Sequence, residues 1–258
     1  MDELKEYLMK DNTFTTRKII KKDFLLVPLY YIFYILIPLL MGHTLIKILS
    51  FVGINLSKKE MDILFLDITS LTTLVGEIII LLSFYLMHRK SIIPIAIARI
   101  KELKKHVALI VICLSFIFLM SDIYDNVIYS LPVKFQYDET VNQMEINKMF
   151  THKWMLPFLF LDITILTPFI EELLMRHLLI HELGKKLTYG LMNIVSVIIF
   201  AYLHCTQAKS PFEIGPYLII AIGLVSAYHF SGRNLAVAIL MHMILSVVAF
   251  ISVYTSII

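Results

Sequence analysis

The chain has 258 residues, of which 59% are hydrophobic, and its mean hydropathy is +0.81. Soluble domains hold about 45–50% apolar residues, so this composition excludes an ordinary soluble enzyme. The net charge of +3 is modest, and no nucleic-acid-binding fold signature accompanies the basic segments, so we expect no nucleic-acid partner.

Uninterrupted apolar runs predict an all-α, polytopic transmembrane helical bundle. A helix needs about 20 apolar residues to cross a hydrocarbon core of ~30 Å. We identify seven candidate spans with soft boundaries, of which the third is short and the fourth long, and an eighth span would be a hidden one. The seven are 24–46, 63–87, 107–121, 154–182, 187–205, 214–231 and 235–256.

The basic residues predict the orientation. Lys and Arg collect in the N-terminal arm 1–23 and in the connection 88–106, and such residues are in excess on the cytoplasmic side. We therefore expect an integral membrane protein, in a bacterial cell membrane, with its N-terminus in the cytoplasm. Seven spans place the C-terminus outside, and eight would move it.

The predicted organisation has three parts. A cytoplasmic basic arm (1–23) without a cleavable signal peptide precedes a membrane region (24–152), which ends in a long outer loop (122–152). The last part is 153–258. In the connection 88–106, alternating apolar and basic residues are typical of an amphipathic helix on lipid, although an ordinary basic loop is the favoured interpretation.

The stretch "PFIEELLMRHLL" (168–179) carries charges inside an apolar segment. Glu172 and Arg176 are four residues apart, which places an acid and a base on one helical face as an ion pair. A structural pair explains these two residues. It leaves Glu171 unexplained, because Glu171 lies about 100° around a regular helix from Glu172.

Two histidines follow in later apolar segments. His204 lies four residues after Phe200, and His242 lies four residues before Ser246. A single histidine in a membrane helix is usually a hydrogen-bonded packing residue. Together with the carboxylates and the arginine, however, they form a set that packing alone does not explain, because ionisable residues are costly in a bilayer.

These motifs resemble a known family. "EELLMR", "FAYLH" and "HMILS" are similar, in this order, to the EExxxR, FxxxH and HxxxN-like motifs of the CPBP family, which comprises type II CAAX prenyl proteases and Abi proteins. The resemblance covers residues 168–246 and implies a CPBP-like intramembrane protease core in 153–258.

The resemblance also implies roles for individual residues. Glu171 and His204 would activate the attacking water, Glu172 and Arg176 would hold the geometry and local charge, and His242 would stabilise the tetrahedral oxyanion. Phe200 and Ser246 would support the site. Two positions depart from the family pattern: Ser246 stands where Asn is more usual, and His177 stands where many relatives have Gly.

The sequence does not decide whether the site binds a metal ion. The family is often called a metalloprotease family, and Glu171, His204 and His242 would be three zinc ligands. The soluble-protease motif HExxH is absent, and a metal-free glutamate mechanism fits equally well. Cys113 and Cys205 fall in apolar spans and support neither a disulfide framework nor a zinc cluster.

Three functions compete. The favoured one is an intramembrane endopeptidase that cuts a membrane-associated protein or a peptide precursor, in bacteriocin or peptide processing or in self-immunity. The second is a catalytically degenerate family member that acts as a non-proteolytic membrane interaction protein. The third is a proton-coupled transporter, which the absence of matched broken helices disfavours.

Overall fold

The structure is a computed structural model that describes residues 14–257, so residues 1–13 of the predicted basic arm lie outside the described residues. Every regular element in this range is helical. In the described part of the chain the main helices are α1 (Lys21–Phe51), α2 (Lys58–His88), α3 (Ile92–Glu102), α4 (Val107–Tyr129), α5 (Val141–Lys148), α6 (153–187), α7 (Tyr189–Leu203), α8 (Ile214–Phe230) and α9 (Leu235–Ile257).

Among the described residues, five helices are long and apolar enough to cross a membrane. They are α1, α2, α4, α9 and the stretch Pro211–Phe230, which adds one 3-10 turn to α8. The described part of the chain is therefore all-helical, and its long apolar helices indicate an integral membrane protein, as predicted. The remaining predicted spans, 154–182 and 187–205, correspond to the irregular α6 and to α7, which has 15 residues. The count of seven or eight spans stays a prediction.

Two connecting segments differ from the prediction. Helix α4 continues to Tyr129, and α5 occupies part of the segment 122–152 that was expected to be a long loop. The acidic residues Asp122 and Asp125 are exposed on α4 and interrupt the apolar pattern without interrupting the helix. The favoured interpretation of 88–106 as an ordinary loop is also wrong, because this connection contains α3.

The chain forms two compact units. The described part of the first comprises residues 14–20, His88–Met144 and Glu171–His242, and the second comprises Lys21–Met87, Glu145–Ile170 and the segment after His242. Both are discontinuous in sequence. The predicted division at residues 23 and 152 stays a prediction.

In the first unit, α8 packs against α4 and α7, and α7 packs against the part of α6 that follows Glu172. Small residues make this approach close, as is common between membrane helices. A Cβ atom on Gly223 would lie 2.5 Å from the Ile117 side chain, and one on Gly215 would lie 2.0 Å from the Tyr124 ring. This packing brings the helix that carries Glu171 beside the helix that leads to His204.

The end of α6 is also anchored to the N-terminal arm. The buried carboxylate of Glu182 accepts hydrogen bonds from the Ile20 backbone N–H at 2.7 Å and from Lys185 Nζ at 2.6 Å. His181 Nε2 donates to the Phe14 carbonyl at 2.8 Å. These contacts hold residues 14–20 against the last turns of α6.

The second unit has its own apolar core and its own polar contacts. The core is built from Phe150, Met155, Leu159, Phe250 and Val253. Among the acidic residues, Glu77 accepts a hydrogen bond from Thr167 Oγ1 at 2.5 Å, and Asp67 lies 2.7 Å from His152 Nδ1. These two carboxylates thus have polar partners within the second unit.

Candidate active site

Helix α6 is not regular where it carries the acidic motif. The turn from Thr167 to Glu172 is α-helical, and Leu173–Leu183 is π-helical. A π-helix has wider turns than an α-helix and is frequent at functional sites. Helix α7 ends at Leu203, directly before His204.

Glu172 lies at the centre of the buried part of the site. Its Oε2 is 3.0 Å from Arg176 Nε, and its Oε1 accepts a hydrogen bond from His242 Nδ1 at 2.9 Å. The side chains of Glu172 and Arg176 are both fully buried. The Arg176 N–H is not aligned for a hydrogen bond, so this contact is an ion pair. The predicted pair is confirmed, and one carboxylate joins α6 to α9.

Glu171 has a different environment from its neighbour. Its side chain is 17% exposed, against 0% for Glu172, and its Oε2 lies 3.8 Å from His242 Nε2. That distance exceeds a normal hydrogen bond. Glu171 thus faces the same histidine without a hydrogen bond to it, and its buried Oε2 has no hydrogen-bond partner among the described residues.

The hydrogen bonds fix which nitrogen of each histidine carries the proton. His204 Nδ1 lies 2.8 Å from the Phe200 carbonyl oxygen, which can only accept, so Nδ1 is the donor. In a neutral imidazole, Nε2 is then an acceptor. His242 likewise donates from Nδ1 to Glu172. Both histidines therefore keep Nε2 for a further partner.

Phe200 packs against three of the predicted site residues. Its buried ring lies 4.5 Å from the His204 ring, 5.8 Å from the His242 ring and 5.4 Å from Arg176 Cζ. A guanidinium over an aromatic face is attracted by the ring quadrupole. The first residue of the FxxxH motif thus brings both histidines and the arginine together.

A comparison with family models agrees with this geometry. Residues 153–248 match the model described as Type II CAAX prenyl endopeptidase Rce1-like. This region is similar to the type II CAAX prenyl endopeptidase family. The resemblance drawn from the three motifs is thereby confirmed, and all seven predicted site residues fall within the matched range. Neither a curated protein nor a solved structure matches the chain at a significant level.

The metal-ligand set that the CAAX endopeptidase resemblance raised does not fit this geometry. Two ligand atoms on one tetrahedral zinc ion lie roughly 3.3 Å apart, given Zn–N distances of about 2.0–2.1 Å. Glu171 Oε2 and His242 Nε2, at 3.8 Å, come near this spacing. In the described part of the chain, however, the ligand atoms of Glu171, His204 and His242 do not all lie within 4.8 Å of one another.

The motifs did not reveal the residues that surround His204 in the CAAX endopeptidase-like region. Tyr217 of α8 stacks on the His204 ring, with 4.8 Å between centroids and 24° between planes. The Tyr217 hydroxyl lies 2.7 Å from Thr140 Oγ1. No motif marks Tyr217, because its contact depends on how α7 and α8 pack.

A buried carboxylate fixes the connection between α7 and α8. Glu213 accepts hydrogen bonds from the backbone N–H groups of Val141 at 2.7 Å, Lys209 at 2.8 Å and Ser210 at 2.9 Å. With Ser210 it forms a capping box, which the spacing in "SPFE" would have predicted. Burial raises the pKa of Tyr137, so this phenol stays protonated and donates to the Phe212 carbonyl.

Ser246, the position where the family usually has Asn, follows His242 by four residues on α9 and is half-buried. Its supporting role stays a prediction. Cys113 and Cys205 are both free thiols.

Proposed function

We propose that this protein is an intramembrane endopeptidase that hydrolyses a peptide bond of a membrane-associated protein or peptide precursor. One observation carries the proposal: the Glu172 carboxylate is fully buried between Arg176 and His242, whereas the adjacent Glu171 is partly exposed and faces the same histidine. Two neighbouring carboxylates thus divide into a structural one and a reactive one.

In the first step, Glu171 acts as general base. A water molecule that hydrogen-bonds to Glu171 and to His204 Nε2 gives its proton to the Glu171 carboxylate while its oxygen attacks the scissile carbonyl carbon. The Nδ1–H bond to Phe200 supports this role, because it keeps Nε2 of His204 as the acceptor. General base catalysis contributes about 10²–10⁴ in rate.

In the second step, His242 stabilises the oxyanion. In its imidazolium form, His242 keeps Nδ1–H on Glu172 and presents Nε2–H to the carbonyl oxygen as negative charge develops there. Losing one such donor costs about 10²–10³ in rate. Collapse of the tetrahedral intermediate breaks the C–N bond, and Glu171 returns its proton to the leaving amine. Ser246 supports this side of the site with its hydroxyl.

The proposed setting is a bacterial cell membrane with the N-terminus in the cytoplasm. Substrates in this setting include peptide precursors, pheromones and bacteriocin leaders, and cleavage of a bacteriocin would give self-immunity. The chain has only eight glycines and is rich in Ile and Lys, which is typical of AT-rich Gram-positive sources.

The test is quantitative peptidomics of membranes and medium from cells with wild-type protein, Glu171→Gln or His204→Ala. We expect at least one peptide product to be present with wild type and lost in both variants, at equal levels of membrane-inserted protein. Full cleavage in either variant refutes the mechanism.

A second function has an observation of its own. Ser246 stands where the family usually has Asn, and a hydroxyl is shorter and less directional than an amide. A non-proteolytic protein would keep the fold and bind a membrane partner. Complementation of a deletion strain by Glu171→Gln would favour this alternative, and failure at normal expression would favour proteolysis.

A further inference from the structure

His204 is less constrained by its own helix than the other predicted site residues. It lies at the C-terminal end of α7, after the last helical residue Leu203, and is half-buried. Rotation of its imidazole by 180° about χ2 would exchange Nδ1 with Cδ2 and Nε2 with Cε1, and the torsion has broad, roughly two-fold preferences. The hydrogen bond to the Phe200 carbonyl opposes this rotation, and contacts from outside α7 can add to it.

Two aromatic rings pack on this imidazole. Phe200, on the same helix, lies 4.5 Å away at 33°, and Tyr217, on the neighbouring helix α8, lies 4.8 Å away at 24°. Phe200 belongs to the recognised motif. Tyr217 belongs to none, yet its ring is the more nearly parallel to the imidazole.

We propose that Tyr217 is a positioning residue that holds the His204 imidazole in the orientation in which Nδ1 donates to Phe200 and Nε2 is left for the reacting water. This inference rests on the endopeptidase function proposed above, because only that reaction gives the orientation of Nε2 a purpose. Tyr217 does not touch the reacting atoms itself.

Tyr217 can hold another ring because it is itself held at both ends. Its backbone belongs to α8, and its hydroxyl lies 2.7 Å from Oγ1 of the buried Thr140. Thr140 Oγ1 in turn accepts from the Gln143 backbone N–H at 3.2 Å, at the start of α5. A phenylalanine at 217 would keep the stacking and lose this tether.

The segment that carries Thr140 is fixed as well. Glu213 accepts from the Val141 N–H at 2.7 Å, one residue after Thr140, and from two N–H groups before α8. A buried carboxylate therefore links the α5 start to the α8 start, and the phenol of Tyr217 extends this connection to His204. The residues between α4 and α5 thereby help to determine the geometry of the histidine.

The experiment measures hydrogen exchange at the His204 imidazole and does not require proteolysis. Hydrogen–deuterium exchange at imidazole C2, read by mass spectrometry across a pH series, gives a rate and a titration midpoint for His204 and for His242 in the intact detergent-solubilised protein. The variants are Tyr217→Leu, Tyr217→Phe and Thr140→Val. The matched control is Tyr202→Leu, which removes a ring that is 62% exposed two residues before His204.

We expect Tyr217→Leu to speed exchange at His204 several-fold and to leave His242 unchanged, with Tyr202→Leu equal to wild type at both. Tyr217→Phe and Thr140→Val should each give a smaller change at His204. Because both remove the hydrogen bond between these two side chains, their effects at His204 should be less than additive. An unchanged His204 in Tyr217→Leu, or an equal change at His242, refutes the proposal. Should Tyr217→Leu not fold, additive effects of the other two refute it.

Kinetics on a substrate peptide from the peptidomics give the second measurement. We expect Tyr217→Leu to lower kcat about 2- to 12-fold, which corresponds to the loss of one aromatic pair. KM should stay nearly constant, because the orientation of His204 matters in the transition state. If Glu171→Gln cleaves normally while His204 exchange responds to Tyr217→Leu, the proposed function fails and the positioning stands. If Glu171→Gln is inactive while Tyr217→Leu changes neither exchange nor kcat, the positioning alone fails.

Discussion

Glu171 and Glu172 are neighbours in sequence, and their surroundings give them different properties. The Glu172 carboxylate is fully buried between Arg176 and His242, whereas the Glu171 side chain is partly exposed. Substituting one partner of a buried ion pair leaves the other charge uncompensated. The two positions should therefore separate stability from catalysis.

We expect Glu172→Gln to destabilise the protein by about 3–5 kcal/mol, because Arg176 would remain buried without its counter-charge. Glu171→Gln should cost less than about 1 kcal/mol, since its side chain is partly exposed and its Oε2 makes no hydrogen bond within the described part of the chain that the substitution would break. Thermal unfolding in detergent, followed by differential scanning fluorimetry, measures both. Equal destabilisation by the two substitutions would contradict this assignment.

Metal removal tests the site at the same scale. The ligand atoms of Glu171, His204 and His242 do not all come within 4.8 Å of one another. We therefore expect cleavage of a verified substrate to persist after treatment with a zinc chelator such as 1,10-phenanthroline, with the non-chelating 1,7-isomer as control. Loss of activity that zinc restores would show that the three residues close around an ion.

At the scale of helices, close packing in the first unit depends on residues without a side chain. A Cβ on Gly215 would lie 2.0 Å from Tyr124 Cζ, whereas a Cβ on Gly190 of α7 has no atom within 4 Å. Gly215→Ala should displace Tyr124, break its hydrogen bond to the Phe212 carbonyl and cost about 1–3 kcal/mol.

Gly190→Ala is the matched control for this substitution. It should stabilise α7 by up to ~1 kcal/mol, because alanine has the higher helix propensity. Melting temperatures of the two variants in the same detergent give the comparison. A Gly215→Ala protein at least as stable as wild type would show that α4 and α8 separate without cost.

The connection between α7 and α8 gives a second prediction for this scale. A Gln at position 213 replaces one accepting oxygen with an NH₂ group, which then faces a backbone N–H. We expect Glu213→Gln to raise amide exchange in residues 135–143 about 10-fold or more, as leaving a buried donor unsatisfied costs about 1–3 kcal/mol.

The control for Glu213 is a carboxylate in an exposed pair. Glu145 contacts Lys148 at 2.6 Å with both side chains about half exposed, and such pairs contribute about 0–1 kcal/mol. Glu145→Gln should leave amide exchange in 135–143 as in wild type. Similar exchange rates in the two variants would mean that Glu213 does not hold this segment.

The sequence predicted the helices that depend on local composition and missed the features that depend on packing. Long apolar runs gave α1, α2, α4, α8 and α9, because transfer into a bilayer is a property of each segment alone. The end of α4 was misjudged, since exposed acidic residues do not stop a helix. The π-helical turns of α6 have no pattern in the residues that predicts them.

The same distinction applies to the site. The spacing of four residues predicted the Glu172–Arg176 pair and placed Phe200 with His204, because i,i+4 neighbours meet on any helix. The bond from His242 to Glu172 joins residues 70 positions apart, and only the resemblance to a family brought them together beforehand. Neither helical spacing nor a family motif indicated Tyr217, although the spacing in "SPFE" would have predicted the nearby Ser210–Glu213 capping box.

For the whole molecule, the open question is how many helices cross the membrane. Five helices are long enough by themselves, and α6 and α7 decide whether the number is seven. The location of the C-terminus does not separate these cases, because five and seven spans both place it outside. The connection between α6 and α7 distinguishes five spans from seven. With seven spans, Lys186 lies in the cytoplasm. With five, α6 and α7 form a hairpin that returns to the outer side, and Lys186 does not reach the cytoplasm.

We expect Lys186 to be cytoplasmic, because Lys185 and Lys186 lie together at this connection and short basic connections stay inside. In a background without Cys113 and Cys205, Lys186→Cys should resist a membrane-impermeant maleimide in intact cells and react after permeabilisation. Exposed positions on either side serve as controls: Ser57→Cys should react in intact cells, and Lys90→Cys should not. Labelling of Lys186→Cys from outside, with Lys90→Cys still protected, would leave five spans and put the carboxylates of α6 on a re-entrant segment.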